Sequence, residues 1–413
     1  MSPARPRLLL LLPTSTYRTA AFVDAALRLS ADLTVASELP STFAGAQPER
    51  LLTLDFSRPE RAAEQAVRFA REHPVAGVFA VDDDTVVVAA HIARALGVPY
   101  ISPDAALAAR DKHTQRVRLR AAGVPVPDFQ LHRCDADLAA AARHAAYPCV
   151  LKPLRLAASR GVIRADAPHE FVAAARRIQA ILAAEPDCAV ADRFLVEAFV
   201  PGPEVALEGL VDGGRLQVLA LFDKPDPLDG PFFEETIYVT PSRLPREAQE
   251  ALAACAQQAV AALDIRRGPV HVELRWNERG AWLIELAARP IGGRCSAVLR
   301  FGVDGDPLSL ETLLLHQALG LPLAALVREH LAAAVMMIPT PVAGTLAEVA
   351  GVDDARRVPY VEDVVITAHP GQQLVPVPDG ARYLGFIFAR AETPRDAEAA
   401  VRAAHGRLAI RLA

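Results

Sequence analysis

The chain has 413 residues, 52% of them apolar and 23% charged, with 44 basic against 49 acidic side chains and a net charge of −5. Such a length exceeds one ordinary core and points to two to four domains of a soluble globular protein. Arginines and glutamates are interspersed and no basic stripe carries aromatics, which excludes a nucleic-acid partner; nor is a membrane partner expected.

Residues 1–105 alternate short apolar runs with amphipathic stretches. "RLLLLL" reads as a buried strand, since its apolar run, Leu8 to Leu12, is too short for a leader sequence and stops at Pro13. "AAFVDAALRLS" has helical period, "DLTVAS" and "GVFAVDDD" read as strands, "TVVVAAHIARALG" as a helix and "VPYIS" as a strand. Apolar strands separated by helices predict a doubly wound parallel sheet. No GxGxxG follows the first strand, so a dinucleotide or sugar site would rest on this domain's fold alone.

A single helix is expected over "DAALAARDKHTQRVRLRAAG", then an extended linker at "VPVPDF". Residues 128–200 mix strands ("CVLKP", "GVIRA", "RFLVEAFV") with helices ("ADLAAAARHAA", "PHEFVAAARRIQAILAA"). Strand content rises from 203 to 290, a helix follows at "LSLETLLLHQALG", and the last 80 or so residues read as a small α+β unit. Its strands are expected near "AAVMMIP", "VVITAHPG" and "LGFIFARA", and its helix at "TPRDAEAAVRAAHG". Cys134, Cys149, Cys188, Cys255 and Cys295 are odd in number and form no CxxC pair, which argues for a reducing, cytoplasmic setting.

Two features carry chemistry. Only Lys112, Lys152 and Lys224 are lysines, the other 41 cations being arginine, so lysine survives where a compact ammonium is needed or by chance. The second is "VHVELRWNERGAWLIELAARP", two alternating runs around "NERG" that predict an antiparallel hairpin with Gly280 left-handed. This register sets Glu273 opposite Glu285 and His271 opposite Ala287. One face then carries His271, Glu273, Arg275, Glu285 and Arg289, and the other Val272, Leu274, Trp276, Trp282, Ile284 and Leu286. Opposed glutamates repel across a ladder, and a shared proton, nearby arginines or a divalent cation could each compensate.

In order and at these spacings, "DKHTQRVRLRAAGVPVP", "CVLKPLRLAASRGV", "VEAFVPGPEVALEG", "FDKP", "HVEL" and "IELAARPIGG" resemble the ATP-grasp ligases. The resemblance runs from Asp111 to Gly293 and takes in the leading α/β domain. The tail is most similar to the L-amino-acid ligase (dipeptide synthetase) branch, which joins a carboxylate to an amine. It implies an α/β and α+β architecture with a doubly wound N-terminal domain (1–108). A central subdomain with a phosphate-covering loop (109–196), a catalytic subdomain with adenine hinge and magnesium site (197–330) and a small C-terminal α+β cap (331–413) follow. ATP would be clamped between the two sheet-containing subdomains.

By the same resemblance Lys112, Lys152 and Lys224 bind phosphates, in a chain without a GxxxxGK[ST] loop. Ser159 and the backbone at Gly161 belong to the covering loop, where Leu156, Ala157 and Ala158 replace the usual glycines and serines. Arg160 either works on the phosphates or sits in solvent. Glu197, Ala198, Phe199 and Val200 form the adenine hinge, and Glu204 binds ribose. Glu273 and Glu285 hold Mg2+, with Mn2+ able to substitute. Ala287 stands where the family has a third ligand, Asn. His271 either fills the space this leaves and orients a carboxylate, substrate or phosphate, or is an ordinary sheet histidine. Arg289 stabilises the transferred phosphoryl group and the acyl centre. Gly292, Gly293 and Arg294 form a substrate loop. Glu234, in "DPLDGPFFEE", lines the acceptor pocket or covers a sheet edge.

The implied reaction is ATP-dependent amide formation through an acyl phosphate, with release of ADP and phosphate, from small-molecule carboxylates and amines of amino-acid type. A homodimer is left open. The rivals are a biotin-carboxylase-like or purine-pathway enzyme activating bicarbonate or another small carboxylate, and an ATP-binding sensor without turnover.

Overall fold

The computed structural model describes residues 5–14, 16–43, 45–185, 192–302, 307–322 and 327–413, so Cys188 lies outside the described residues. The chain opens with β1 (Arg7–Leu11), α1 (Thr19–Arg28), β2 (Asp32–Ser37), β3 (Leu51–Thr53), α2 (Pro59–Glu72), β4 (Gly77–Ala80) and α3 (Asp83–Leu96). The four strands form one parallel sheet in the order β3-β2-β1-β4. β1 is leucine on both faces because both are covered: Leu9 and Leu11 meet α2 and α3, while Leu8 and Leu10 meet Phe22 of α1 and Phe79.

Val98–Ser102 is not a strand, contrary to expectation. Pro99 removes a ladder donor, and Pro103 starts the next helix. The single helix expected at 104–123 is two, α4 (Pro103–Arg110) and α5 (Lys112–Ala121). Asp111 between them is extended, and its Oδ1 accepts from the Thr114 N–H at 2.9 Å as the N-cap of α5. The break puts Lys112 at the first position of a helix.

A second layer contains β5 (Phe129–Arg133), α6 (Leu138–His144), β6 (Cys149–Pro153), β7 (Ile163–Ala165), α7 (Pro168–Ala183) and β8 (Arg193–Ala198). Its antiparallel sheet has the order β5-β8-β6-β7. Phe171, Ala174, Ala175, Ile178 and Leu182 make one stripe of α7 and bury Leu151, Phe194 and Val196. The expected linker leads directly into β5.

The third layer begins with β9 (Glu204–Asp212), β10 (Arg215–Lys224), β11 (Ile237–Thr240), α8 (Arg246–Ala262), β12 (Arg267–Asn277) and β13 (Gly280–Ala287). A short ladder of β14 (Arg300–Phe301) and β15 (Leu308–Ser309) precedes α9 (Leu310–Ala318). The tail holds β16 (Ala332–Ile338), β17 (Gly344–Ala350), α10 (Val352–Arg356), β18 (Val361–Ile366), β19 (Gln373–Leu374), β20 (Gly385–Ala391), α11 (Pro394–His405) and β21 (Ala409–Leu412). β16, β20 and β18 continue the sheet of the third layer, whose eight strands run β13-β12-β9-β10-β11-β16-β20-β18. Residues of the tail can therefore reach the same cleft as β12 and β13.

The hairpin pairs His271 with Ala287 and Glu273 with Glu285, as its alternation requires. Beyond Glu273 a bulge shifts the ladder, pairing Leu274 with Leu283, Arg275 with Trp282 and Asn277 with Gly280. The expected face assignment therefore fails for Trp282, which lies opposite Arg275, and for Ile284, the extra residue, which lines the cleft. Gly280 has φ +103°, a conformation that favours glycine. Among the described residues no helix is long and apolar enough to cross a membrane.

Candidate active site

A cavity of about 480 Å3 opens between the β5–β8 sheet and the eight-stranded sheet. Lys112 and Lys152 line it, 6% and 7% exposed, so neither is a solvated surface cation. The Lys112 ammonium is 2.9 Å from Glu285 Oε1 and also donates to the Leu156 carbonyl. Lys152 is 2.7 Å from Glu197 Oε2, whose other oxygen receives Arg116 Nε at 2.5 Å. Burial alone would raise the Glu197 carboxyl, but Arg116 and Lys152 outweigh it and hold it at about 2. The Glu197 carboxylate is committed to these cations and positions Lys152.

Lys224 lies just behind the cavity wall. Its ammonium is 2.8 Å from Glu204, 2.5 Å from Glu235 and 3.1 Å from Glu273. The expectation that it reaches phosphate directly meets a different geometry, in which three carboxylates converge on one ammonium and screen it from the cavity. Burial opposes the charge of Lys224, yet these carboxylates raise its pKa well above the ordinary value. Burial would raise Glu273 too, but Lys224 holds it well below the usual carboxylate range. Burial pushes Glu235 up to about 7.

Lysines, not arginines, therefore compensate the opposed glutamates: Lys224 serves Glu273 and Lys112 serves Glu285. The arginines of that face go elsewhere. Arg275 Nε donates to Glu204 Oε2 at 2.8 Å and its Nη1 to the Val200 carbonyl at 2.7 Å. Arg289 Nε donates to Asp83 Oδ2 at 2.7 Å, and its Nη1 to the Pro290 carbonyl at 3.0 Å. His271 lies 3.6 Å from Glu273 and 3.8 Å from Glu208. Burial lowers its pKa, so the ring is neutral at pH 7.

Ala198, Phe199 and Val200 line the cavity beside β8. The Ala198 and Phe199 N–H groups donate to the Asp128 and Pro148 carbonyls, whereas the Val200 N–H has no partner among the described residues. The Phe199 ring lies under the guanidiniums of Arg164 and Arg275, 4.3 and 5.0 Å from its centroid.

The loop after β6 carries Ser159 on the cavity wall. Ala158 and Ser159 have φ +54° and Gly161 +71°, and a Cβ at Gly161 would stand 2.7 Å from Pro153 Cγ. The tail holds this loop: the Gly161 N–H donates to the Pro378 carbonyl at 2.8 Å and Arg160 Nε to the Asp379 carbonyl at 2.9 Å. Arg160 also pairs with Glu185, which lines the cavity, so its guanidinium is held by protein and not free in solvent.

Gly292 and Gly293 line the cavity, and a Cβ at Gly293 would stand 2.3 Å from Met337 Sδ. Arg294 is not itself in the cavity lining, but its guanidinium stands 5.7 Å from the ring centroid of Phe386, which is. Glu234 accepts from the Thr340 backbone, while its neighbour Glu235 faces the cavity. Sequence reasoning missed Asp83, Arg116 and Glu208, and reached Glu235 only as part of "DPLDGPFFEE", the segment that lines the acceptor pocket or covers a sheet edge. Arg116 follows Lys112 by one helical turn and Glu208 shares the Glu204 face of β9, two local signals that could have found them.

Two sheets closing on a cleft that holds buried lysines and opposed acids define an ATP-grasp ligase. Family models match accordingly: an ATP-grasp N-terminal domain over residues 23–100 and an ATP-grasp domain over 145–298. The chain belongs to the ATP-grasp ligases, and its tail, 336–413, matches the L-amino acid ligase C-terminal domain 2. An uncharacterized protein, y4rH, of Sinorhizobium fredii is 25% identical over 96% of this chain and 81% of its own. The alanine–anticapsin ligase of Bacillus subtilis is 29% identical over 67% of this chain, which spans only 62% of that ligase. The crystal structure of an L-amino acid ligase from Bacillus licheniformis superimposes with a TM-score of 0.85 at 27% identity, covering 100% of both chains. Purine-pathway synthetases and biotin carboxylases, at lower identity, share the fold alone.

Proposed function

We propose that the protein joins the carboxylate of one amino acid to the amine of another, using ATP and releasing ADP and phosphate. The observation that carries this is one cavity in which Lys112, Lys152, Glu273, Glu285 and Arg289 meet. A carboxylate oxygen forms a bond to the γ-phosphorus as the bond to ADP breaks, giving an acyl phosphate. The amine nitrogen then bonds to the acyl carbon, phosphate leaves, and the amine proton passes to phosphate or water.

Lys112 and Lys152 offer ammonium groups to the phosphate chain. The unpartnered Val200 N–H and the Ala198 carbonyl suit the adenine edge, and Glu204, held by Arg275 and Lys224, suits ribose. Ser159 and the Gly161 backbone cover the phosphates. Lys224 fixes the carboxylates of the cleft wall. Arg289 aims positive charge at the reacting centre.

A divalent cation fits between Glu273 and Glu285, opposed hard-oxygen ligands, whereas the oxygens that Glu204, Glu235 and Glu273 bring within 4.8 Å of one another are gathered on the Lys224 ammonium. Held there, it would neutralise phosphate charge. The buried Cys149, Cys255 and Cys295 are free thiols, which supports a reducing, cytoplasmic setting.

The test is ADP release with ATP, magnesium and pairs of amino acids, the product identified by mass. Release that requires both amino acids is expected. Release with bicarbonate alone, or ATP binding without turnover for every pair, would overturn the proposal.

The tail also sets the covering loop. Arg177 pairs with Asp379 at 2.7 Å, steadying the segment that accepts from Gly161 and Arg160. Asp379→Ala is expected to raise the KM for ATP severalfold while leaving the thermal midpoint nearly unchanged, because the lost pair is half-exposed.

A further inference from the structure

Three consecutive aspartates, Asp82, Asp83 and Asp84, begin α3 where it meets the cleft. Each grips a different arginine. Asp82 is 3.2 Å from Arg18, Asp83 2.7 Å from Arg289 and Asp84 2.8 Å from Arg110. Arg18 in turn donates to the Pro290 and Ile291 carbonyls, at 3.2 and 2.7 Å, and Glu208 receives the Ile291 N–H at 3.0 Å. The segment that begins at Arg289 is thus anchored from the N-terminal domain.

We propose that Asp83 is a positioning residue for phosphoryl and acyl transfer, fixing the plane of the Arg289 guanidinium from the neighbouring domain. The inference rests on the reading of Arg289 given above. Two of that arginine's three nitrogens are bound to protein: Nε to Asp83 and Nη1 to the Pro290 carbonyl. Nη2 has no hydrogen-bond partner among the described residues, and Arg289 lines the cavity. A guanidinium is rigid and planar, so bonds at Nε and Nη1, on either side of Nη2, fix the direction in which Nη2 points. Asp83 is itself held by the start of a helix whose Thr85, Val86 and Val88 are buried, a firm base for such a bond.

An alternative role for Asp83 is simple support of the helix N-terminus, where any acidic side chain is favourable. The two roles separate in kinetics. Asp83→Asn keeps the shape but removes the charge from the bond to Nε. Its kcat should fall about 10²-fold, the usual cost of a displaced catalytic group, with the KM for ATP within about twofold of wild type. Asp83→Glu keeps the charge and should recover part of the loss.

The deciding measurement is a double-mutant cycle on the full chain with Arg289→Ala. In that background Asp83→Asn, or Asp83→Glu where the asparagine variant does not fold, should cost nothing more. A loss that adds fully to that of Arg289→Ala assigns Asp83 to helix support and overturns the proposal, as does unchanged or faster turnover in Asp83→Asn. Wild-type turnover in Arg289→Ala alone would instead remove the role of the arginine, a separate result.

Discussion

Glu197→Ala is expected to lower stability by about 3–5 kcal/mol and to abolish measurable ATP binding, because it strands two cations in the interior. Glu197 is 2% exposed and accepts from Arg116 on one oxygen and Lys152 on the other. Removing it leaves Arg116, 1% exposed, with a charge whose remaining contacts are Gln115 and the Ile284 carbonyl. Lys152 loses the anchor that directs it into the cleft. A urea titration with a nucleotide-binding assay measures both effects; an unchanged midpoint would show that the triad adds nothing to the fold.

The same group sets an acid dependence. Its carboxyl lies at about 2 in the folded chain against an ordinary value of 4.5. The pKa is depressed on folding, so the stability it confers is complete above pH 4.5 and is lost as pH falls from 4.5 toward about 2. The shift corresponds to about 3 kcal/mol. In Glu197→Gln that component disappears, and the midpoint should fall less steeply over this window than in the wild type.

What was legible beforehand follows from the range of each signal. Period-two alternation fixes which side chains oppose one another near a turn, so Glu273 and Glu285 could be paired from the sequence. The bulge beyond Glu273 left no local trace, and Ile284 was placed on the wrong face. Lysine scarcity pointed to Lys112, Lys152 and Lys224, but not to the carboxylates around each. Those partners come from afar: Asp83 and Arg289 are 206 residues apart, Arg116 and Glu197 81, Glu208 and Ile291 83. Periodicity reports which face an element buries; it says nothing about which distant element covers that face. Asp111 illustrates the local limit, since an aspartate between two helical runs reads equally as a surface position or as the N-cap that ends one helix and starts another.

Replacing Lys224 should have the second large effect, and the choice of replacement matters. Lys224→Met keeps the length of the stem but leaves Glu204, Glu235 and Glu273 facing one another without their shared ammonium. Without metal the variant should lose about 3–5 kcal/mol of stability, or take up protons on these carboxylates. Turnover should fall about 10²-fold, because Glu204, Glu235 and Glu273 lose the group that holds them in place at the cleft wall. Lys224→Arg should not restore it: the slot, closed by the Tyr238 ring 5.1 Å from the ammonium, admits a point charge but not a planar fork. The three carboxylates left behind are hard-oxygen donors, so Mg2+ added without nucleotide should raise the thermal midpoint of Lys224→Met more than that of the wild type. At a hundredfold excess over its dissociation constant the ion would return about 2.7 kcal/mol. Equal midpoints with and without Mg2+ would show that these acids do not form a cation site, and an unshifted metal-free midpoint would show that the ammonium is not what holds them together.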